Sequence, residues 1–254
     1  MTGLSANTGF LWKDRPFLER IALAGHAGFD AVEFHDEWRH EPVEAVREAL
    51  ETAGLPVLGL NTRMADTAGC AAVPGEEAQA RTDILAAIEA ARALGAKAVH
   101  VMGGKVEADE RVLATYRANL AFACEAGEGL TVLVEPLCRT AMPRYPIHTV
   151  ADAARVVETV DAPNLRIMFD FFHVHQEGDD IPATFRRCRE IVGHVQVADP
   201  QTRGEPRTSG PLAIGALVGE LRAAGYTGAL GCEYVPANGV ENGLGWREAL
   251  RPSA

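Results

Sequence analysis

Four residues that offer oxygen ligands stand near the ends of β-rich runs in the second half of the chain. They are Glu135, Asp170, Gln196 and Glu233. Three carboxylates gathered in one place repel one another and raise their own pKa values unless a cation cancels their charge. Hard oxygen ligands favour Mg²⁺ or Mn²⁺ over metals that prefer thiolates. The set predicts a divalent metal site, and the alternative is four separate polar residues, each paired with a Lys, an Arg or a loop amide.

Other side chains near the same run ends are candidates for substrate binding. His173 lies three residues after Asp170, so its imidazole either reaches a ligand held at the metal or serves as a capping or packing residue. Arg203 lies in a loop with two prolines, where its guanidinium either forks onto a substrate carboxylate or forms an ordinary salt bridge. Trp12 either lines the pocket or covers the rim of the fold. The candidate substrate-binding residues are Trp12, Asn61, His100, His173 and Arg203.

The elements that must position these residues follow one repeated pattern, a β-rich run and then a helical pattern that closes on Gly. Glycine just past a helix adopts the left-handed conformation that caps it. The strand candidates lie roughly at 4–8, 31–35, 56–61, 97–102, 130–135, 165–170, 192–198 and 228–233. The helix candidates lie roughly at 16–27, 42–53, 75–94, 108–127, 149–160, 181–190, 213–224 and 243–251.

Eight such β/α units predict an α/β fold, a (β/α)8 TIM barrel that forms a single domain over residues 1–254. The carboxyl ends of the strands converge in such a barrel, so residues that are distant in sequence become neighbours at the active site. A doubly wound open sheet is the structural alternative. No Gly-x-Gly-x-x-Gly turn follows the first strand candidate to support a dinucleotide site.

Composition excludes several classes of protein. No apolar run approaches the ~20 residues of a membrane span, and the N-terminus lacks the basic and apolar regions of a signal peptide. Five cysteines without a Cys-x-x-Cys pair indicate neither a disulfide framework nor a zinc ribbon, so a cytoplasmic location is expected. A formal net charge of −11 opposes binding to nucleic acid. The expected partner is a small molecule, and the sequence is compatible with an oligomer.

Several short motifs at the predicted strand ends resemble those of the hydroxypyruvate isomerase family, which belongs to the xylose isomerase-like barrels. The motifs are Glu135-Pro136-Leu137, Phe169-Asp170-Phe171-Phe172-His173, His194-Val195-Gln196-Val197, Arg203 with Glu205-Pro206, and Gly231-Cys232-Glu233-Tyr234. The resemblance extends over nearly the whole chain and includes His100-Val101-Met102. Each motif is weak alone, but five in order at the expected positions are specific.

The resemblance implies roles for the candidate residues. Glu135, Asp170, Gln196 and Glu233 would hold the metal, Glu135 and Glu233 would also move protons, and His173 and Arg203 would contact the substrate. The reaction would interconvert a short α-hydroxy carbonyl acid through an ene-diolate, from hydroxypyruvate to 2-hydroxy-3-oxopropanoate or in a 2-oxo-tetronate relative. Gln196 favours this branch, because related ketose 3-epimerases usually carry His at that point.

The chain departs from the family pattern beside the site. Cys138 stands where Asn is frequent, Gly204 stands where His is frequent, and Phe169, Phe172 and His175 replace two tyrosines and a Gln. The reaction type is therefore better defined than the substrate. Alternatives on the same residues are a ketose 3-epimerase and a sugar-acid dehydratase. A zinc endonuclease would need further ligands and a basic face, and a non-catalytic barrel that binds a sugar acid is the alternative of another class.

Overall fold

The structure is a computed structural model that describes residues 3–250, and these residues form one closed barrel of eight parallel strands. Each strand pairs with the next in chain order, and the eighth pairs with the first. The strands are β1 (Leu4–Asn7), β2 (Ala31–Phe34), β3 (Val57–Asn61), β4 (Ala98–His100), β5 (Thr131–Val134), β6 (Leu165–Asp170), β7 (Val192–Val197) and β8 (Leu230–Cys232). The predicted fold class, a single-domain TIM barrel, is confirmed.

Helices pack around the barrel and over its carboxyl mouth. They are α1 (Phe17–His26), α2 (Val43–Ala53), α3 (Glu77–Leu94), α4 (Glu110–Ala126), α5 (Val150–Val160), α6 (Phe171–Gln176), α7 (Ile181–Cys188) and α8 (Ile214–Ala223). Among residues 3–250, no helix is both long and apolar enough to cross a bilayer.

Two segments differ from the helices predicted from the sequence. The segment predicted as a helix over 243–251 is a 3₁₀ helix at Glu241–Leu250, and its last position lies outside the described residues. Gly243 and Gly245 disfavour a continuous α-helix there. Helix α6 was not predicted, and it starts directly at the end of β6. Its N-terminus is capped by the Asp170 side chain, so a residue chosen for its chemistry also starts this helix.

The inner face of the barrel follows the two-residue period of its strands. Residues two apart on a strand share a face, so each strand directs two such residues into the barrel. Because the strands are parallel, the second of the two lies nearer the carboxyl mouth. The deeper positions are Gly59, Ala98, Leu133, Met168, His194 and Gly231. The mouth positions are Asn61, His100, Glu135, Asp170, Gln196 and Glu233. The mouth layer is therefore polar, whereas the layer beneath it is mostly small or apolar.

The barrel is not filled completely below the mouth. TIM barrel interiors are normally packed by layers of branched side chains. Here Gly59, Ala98 and Gly193 contribute little volume, and a cavity of about 170 Å³ remains. Glu33 and His194 lie on its wall, so the lower barrel contains an ionisable pair as well as apolar groups.

Helix α5 begins with a capping box that anchors the loop leading from Glu135. The Thr149 hydroxyl accepts a hydrogen bond from the Asp152 backbone N–H at 3.1 Å, and the Asp152 carboxylate accepts from the Thr149 N–H at 3.0 Å. These bonds satisfy donors that the first turn of a helix leaves without intrahelical partners.

We predict that Thr149→Ala lowers the free energy of unfolding by about 1 kcal/mol, because the cap is lost. Thr159→Ala is the matched control, since the Thr159 hydroxyl lies on the exposed side of the same helix and donates to the Arg155 carbonyl within that helix. Urea unfolding followed by circular dichroism measures both variants. Equal destabilisation of the two would contradict the capping role.

Candidate active site

The barrel brings the four predicted metal ligands together at its carboxyl mouth. Glu135 and Glu233 each come one residue after a strand ends, and Asp170 is the last residue of β6. Strand register pairs Asp170 with Gln196, and Gln196 with Gly231. All four side chains are buried, and Asp170 is only 1% exposed. Their convergence follows from the barrel, because no two of them are adjacent in sequence.

Three of these residues present an oxygen that has no hydrogen-bond partner in the described chain. Glu135 Oε1, Asp170 Oδ2 and Gln196 Oε1 are buried and accept no hydrogen bond from any residue between 3 and 250. A buried carboxylate oxygen without a partner is costly. A hard divalent cation would satisfy all three oxygens and offset the negative charge. The donor set therefore fits such a metal, and possible ligand atoms of Glu135, Asp170 and His173 lie within 4.8 Å of one another.

The local structure around Asp170 explains why one of its oxygens is free. Asp170 Oδ1 accepts the Phe172 backbone N–H at 2.7 Å and so caps α6. This bond occupies Oδ1, whereas Oδ2 lies 3.9 Å from both Arg203 Nη2 and His173 Nε2, beyond hydrogen-bond distance. The same cap starts the helix that carries His173 back over the mouth.

Glu233 is more fully bonded than the other carboxylates. Its Oε1 accepts from the Arg203 guanidinium, and its Oε2 accepts from Asn7 Nδ2 and Gln196 Nε2, each at 2.7 Å. A carboxylate oxygen has two lone pairs, so Oε1 retains one beside Arg203. Glu233 can therefore join the metal site while it remains bonded to the guanidinium.

Repulsion among the acidic groups appears in their pKa values. Burial raises the pKa of Glu135 well above its usual range, and the charges of Glu233 and Asp170 raise it further. Burial also raises the pKa of Asp170, although Arg203 opposes the shift. The same burial raises the pKa of Glu233, again against Arg203. One guanidinium does not balance three carboxylates, which is the condition that a divalent cation would relieve.

The hydrogen bonding of His173 indicates a role different from that of the proposed metal ligands. Its Nδ1 accepts the Cys138 backbone N–H at 3.1 Å. Burial and the nearby Arg203 charge lower the pKa of His173 well below its usual value, so the ring is neutral. A neutral ring that accepts at Nδ1 carries its hydrogen on Nε2. That N–H lies 3.9 Å from both Glu135 Oε1 and Asp170 Oδ2, so the arrangement favours donation to a substrate oxygen over metal ligation.

Arg203 is held tightly beside the carboxylates. Its guanidinium lies between the rings of Phe10 and Phe172, 4.5 and 5.1 Å from their centroids. Its backbone is in the left-handed region with φ of 59°, which is unfavourable for a residue with a side chain. Bonds from its N–H to the Asp199 carbonyl and from the Val235 N–H to its carbonyl hold that conformation.

A small cavity of about 150 Å³ lies above these groups. The predicted substrate-binding residues Asn61, His100, His173 and Arg203 line it, together with methionine and phenylalanine side chains. Trp12 does not line it. The Trp12 indole packs edge-on against Phe29 and donates to Glu241 at 2.6 Å, so this residue covers the rim.

Several polar residues at the site were not selected from the sequence. They are Asn7, Glu33, His35 and His194. His35 follows β2, and its Nε2 lies 4.0 Å from Glu233 Oε2. Gly9 provides the space for this ring, since a Cβ at Gly9 would lie 2.4 Å from His35 Nδ1. The two-residue strand period would have indicated His194, because it shares a face with Gln196.

Comparisons with known proteins agree with the barrel fold. A family model described as the xylose isomerase-like TIM barrel matches residues 21–251. The chain is 37% identical to the 2-oxo-tetronate isomerase of Cupriavidus necator, over 97% of each chain. It is 31% identical to the hydroxypyruvate isomerase of Escherichia coli K12, over 99% of this chain and 100% of that one. The chain belongs to the hydroxypyruvate isomerase family.

As a member of this family, the protein is an isomerase enzyme. A crystal structure of an AP endonuclease, family 2, from Brucella melitensis has the same fold. It superposes with a TM-score of 0.92 at 32% identity and covers 99% of this chain and 100% of its own. The family resemblance inferred from the strand-end motifs is confirmed.

The loop that positions Arg203 in this isomerase depends on the Asp199 carboxylate. Burial acts to raise the pKa of Asp199, but hydrogen bonds from Arg207 and from the backbone N–H groups of Thr202 and Gln201 lower it to about 2. A carboxylate with a lowered pKa stabilises the folded state above its unfolded pKa of about 3.9, and that contribution disappears as the pH falls through its folded value.

We predict that Asp199→Asn destabilises the enzyme clearly at pH 6 and progressively less between about pH 4 and pH 2, where the wild-type carboxyl gains its proton. Urea unfolding at several pH values measures the difference between the two proteins. Asp66→Asn, at an exposed position, is the control. A difference for Asp199→Asn that stays constant from pH 6 to pH 2.5 would contradict the role of the charged form.

Proposed function

We propose that this enzyme is a metal-dependent isomerase of a short α-hydroxy carbonyl acid. The substrate would be hydroxypyruvate, giving 2-hydroxy-3-oxopropanoate, or a 2-oxo-tetronate of similar size. The observation that carries the proposal is the group of three buried oxygens without a hydrogen-bond partner in the described chain, on Glu135, Asp170 and Gln196, beside a small cavity that Glu135 and Gln196 line. The names of relatives at 31–37% identity support the same chemistry.

The donor set favours Mg²⁺ or Mn²⁺. The residues that would hold the ion are Glu135, Asp170, Gln196 and Glu233. When bound, the ion supplies positive charge that polarises the substrate carbonyl and acidifies the neighbouring C–H.

Protein side chains would then carry out the proton transfer. Glu135 and Glu233 are the candidate acid and base, one removing the proton to leave an ene-diolate and the other returning it to the adjacent carbon. The Nε2–H of His173 would donate to a substrate oxygen near Glu135. Arg203 has a buried Nε–H without a partner in the described chain, and this group would bind the substrate carboxylate.

The size of the cavity bears on the alternatives. At about 150 Å³ it is below the roughly 300–1,000 Å³ of pockets for drug-sized ligands, and it suits a three- or four-carbon acid better than a hexose. A ketose 3-epimerase or a sugar-acid dehydratase would use the same carboxylates, so the reaction products must distinguish them. An endonuclease is disfavoured, because the net charge of −11 repels the phosphate backbone.

We predict that the enzyme with Mg²⁺ or Mn²⁺ in D₂O moves the carbonyl of hydroxypyruvate or a 2-oxo-tetronate to the adjacent carbon. Glu135→Gln and Glu233→Gln should each reduce the rate by about 10²- to 10⁴-fold, since a proton-transfer group is lost. Glu89→Gln, at an exposed position on α3, is the matched control and should retain full activity. NMR follows the products and the incorporated deuterium.

The products decide between the related reactions. A migrated carbonyl supports the isomerase, a retained carbonyl with inverted configuration indicates an epimerase, and loss of water indicates a dehydratase. Unchanged metal affinity and activity in both Gln variants would remove the proposed roles of Glu135 and Glu233. Metal binding without turnover of any acid or ketose would favour a barrel that only binds.

A further inference from the structure

A buried pair of ionisable side chains lies directly beneath the proposed metal ligands. His194 Nε2 lies 2.7 Å from Glu33 Oε2, and Glu33 is 4% exposed. The pair is therefore a buried, hydrogen-bonded carboxylate and imidazole in the lower barrel, and neither residue lines the substrate cavity.

The second oxygen of Glu33 acts on Gln196. Gln196 Nε2 lies 2.7 Å from Glu33 Oε1 and 2.7 Å from Glu233 Oε2. The Gln196 NH₂ group donates to both carboxylate oxygens, so both of its hydrogens are used. The amide oxygen consequently faces the other way, where it is buried and unpartnered in the described chain. Removing the Glu33 acceptor would remove one of the two hydrogen bonds that hold the amide in this orientation.

The space that holds the pair depends on Gly231. A Cβ at this position would lie 2.5 Å from Glu33 Oε1, 2.6 Å from Glu33 Oε2 and 2.7 Å from His194 Nε2. Such distances are too short for any real contact, so a side chain here would displace the pair. Gly59, another inward-facing glycine of the lower layer, is different, because its nearest Cβ contact would be an ordinary 3.5 Å. The absence of a side chain at Gly231 therefore leaves room for the Glu33–His194 pair, whereas Gly59 has no such role.

We propose that Glu33 is a positioning residue that holds the Gln196 amide with its oxygen toward the metal site. This inference rests on the proposed function, because it assumes that Gln196 is a ligand. His194 holds the Glu33 carboxylate through a hydrogen bond, and Gly231 leaves room for both side chains. Substitution of a group that orients a metal ligand without touching the metal typically lowers metal affinity by about 10- to 100-fold.

Mn²⁺ affinity tests the proposal without any substrate, by isothermal titration and by the EPR signal of the free ion. Glu33→Met removes the acceptor at similar size and should weaken Mn²⁺ binding by about 10- to 100-fold. Glu33→Gln keeps an acceptor oxygen and should recover most of the affinity. In a Gln196→Ala background, Glu33→Met should cause little further loss, since Glu33 acts through Gln196.

A second pair of variants covers the case in which Glu33→Met does not fold. Gly231→Ala should weaken Mn²⁺ binding, and Gly59→Ala should not, although both add one methyl group to the lower barrel. Thermal unfolding monitors the folded state of each variant. Unchanged Mn²⁺ affinity in Glu33→Met or Gly231→Ala overturns the positioning role. The role is also overturned if Glu33→Met lowers the affinity of the Gln196→Ala variant as much as it lowers that of the wild type.

The result also separates this inference from the proposed function. If the wild-type protein binds Mn²⁺ and isomerises its substrate while Glu33→Met binds the ion equally well, the positioning role alone is wrong. If the wild-type protein binds neither Mn²⁺ nor Mg²⁺, the metal site and the positioning role are both overturned.

Discussion

Negative charge buried at the barrel mouth is the constraint on which the site depends. Glu135, Asp170 and Glu233 are each at most 6% exposed, and burial makes both their ionisation and their proximity unfavourable. The surrounding chain meets this cost in part. Arg203 is fixed against Glu233 by two aromatic rings and by a strained backbone. Oxygens of Glu135 and Asp170 remain without hydrogen-bond partners in the described chain, and they give the site its capacity to bind a cation.

The fold and the acidic set could be predicted from the sequence because both depend on local signals. Apolar runs ended at Glu135, Asp170 and Glu233, and helices ended at glycines such as Gly54 and Gly95, which have the left-handed conformation. The barrel rule then placed these run ends together. Those steps required only the order of the elements, not their exact contacts.

Other features depend on geometry that local sequence does not determine. The Glu33–His194 contact joins residues 161 positions apart, and it requires the register of β1, β2, β7 and β8. The direction of Trp12 is set by its left-handed backbone, with φ of 56°, and not by its position after β1. Helix α6 starts on a side-chain cap rather than on a periodic apolar pattern.

The layered inner face also bears on how such an enzyme changes over time. Each mouth residue has a neighbour two positions earlier that lies beneath it, and of these lower neighbours Met168 alone also lines the substrate cavity. Substitutions in that lower layer can tilt or loosen a ligand while the catalytic residues stay the same. The incompletely filled interior leaves space for larger side chains at positions such as Ala98. The substrate range of such a barrel could therefore change first through substitutions in the lower layer. A comparison limited to the catalytic residues would not detect those substitutions.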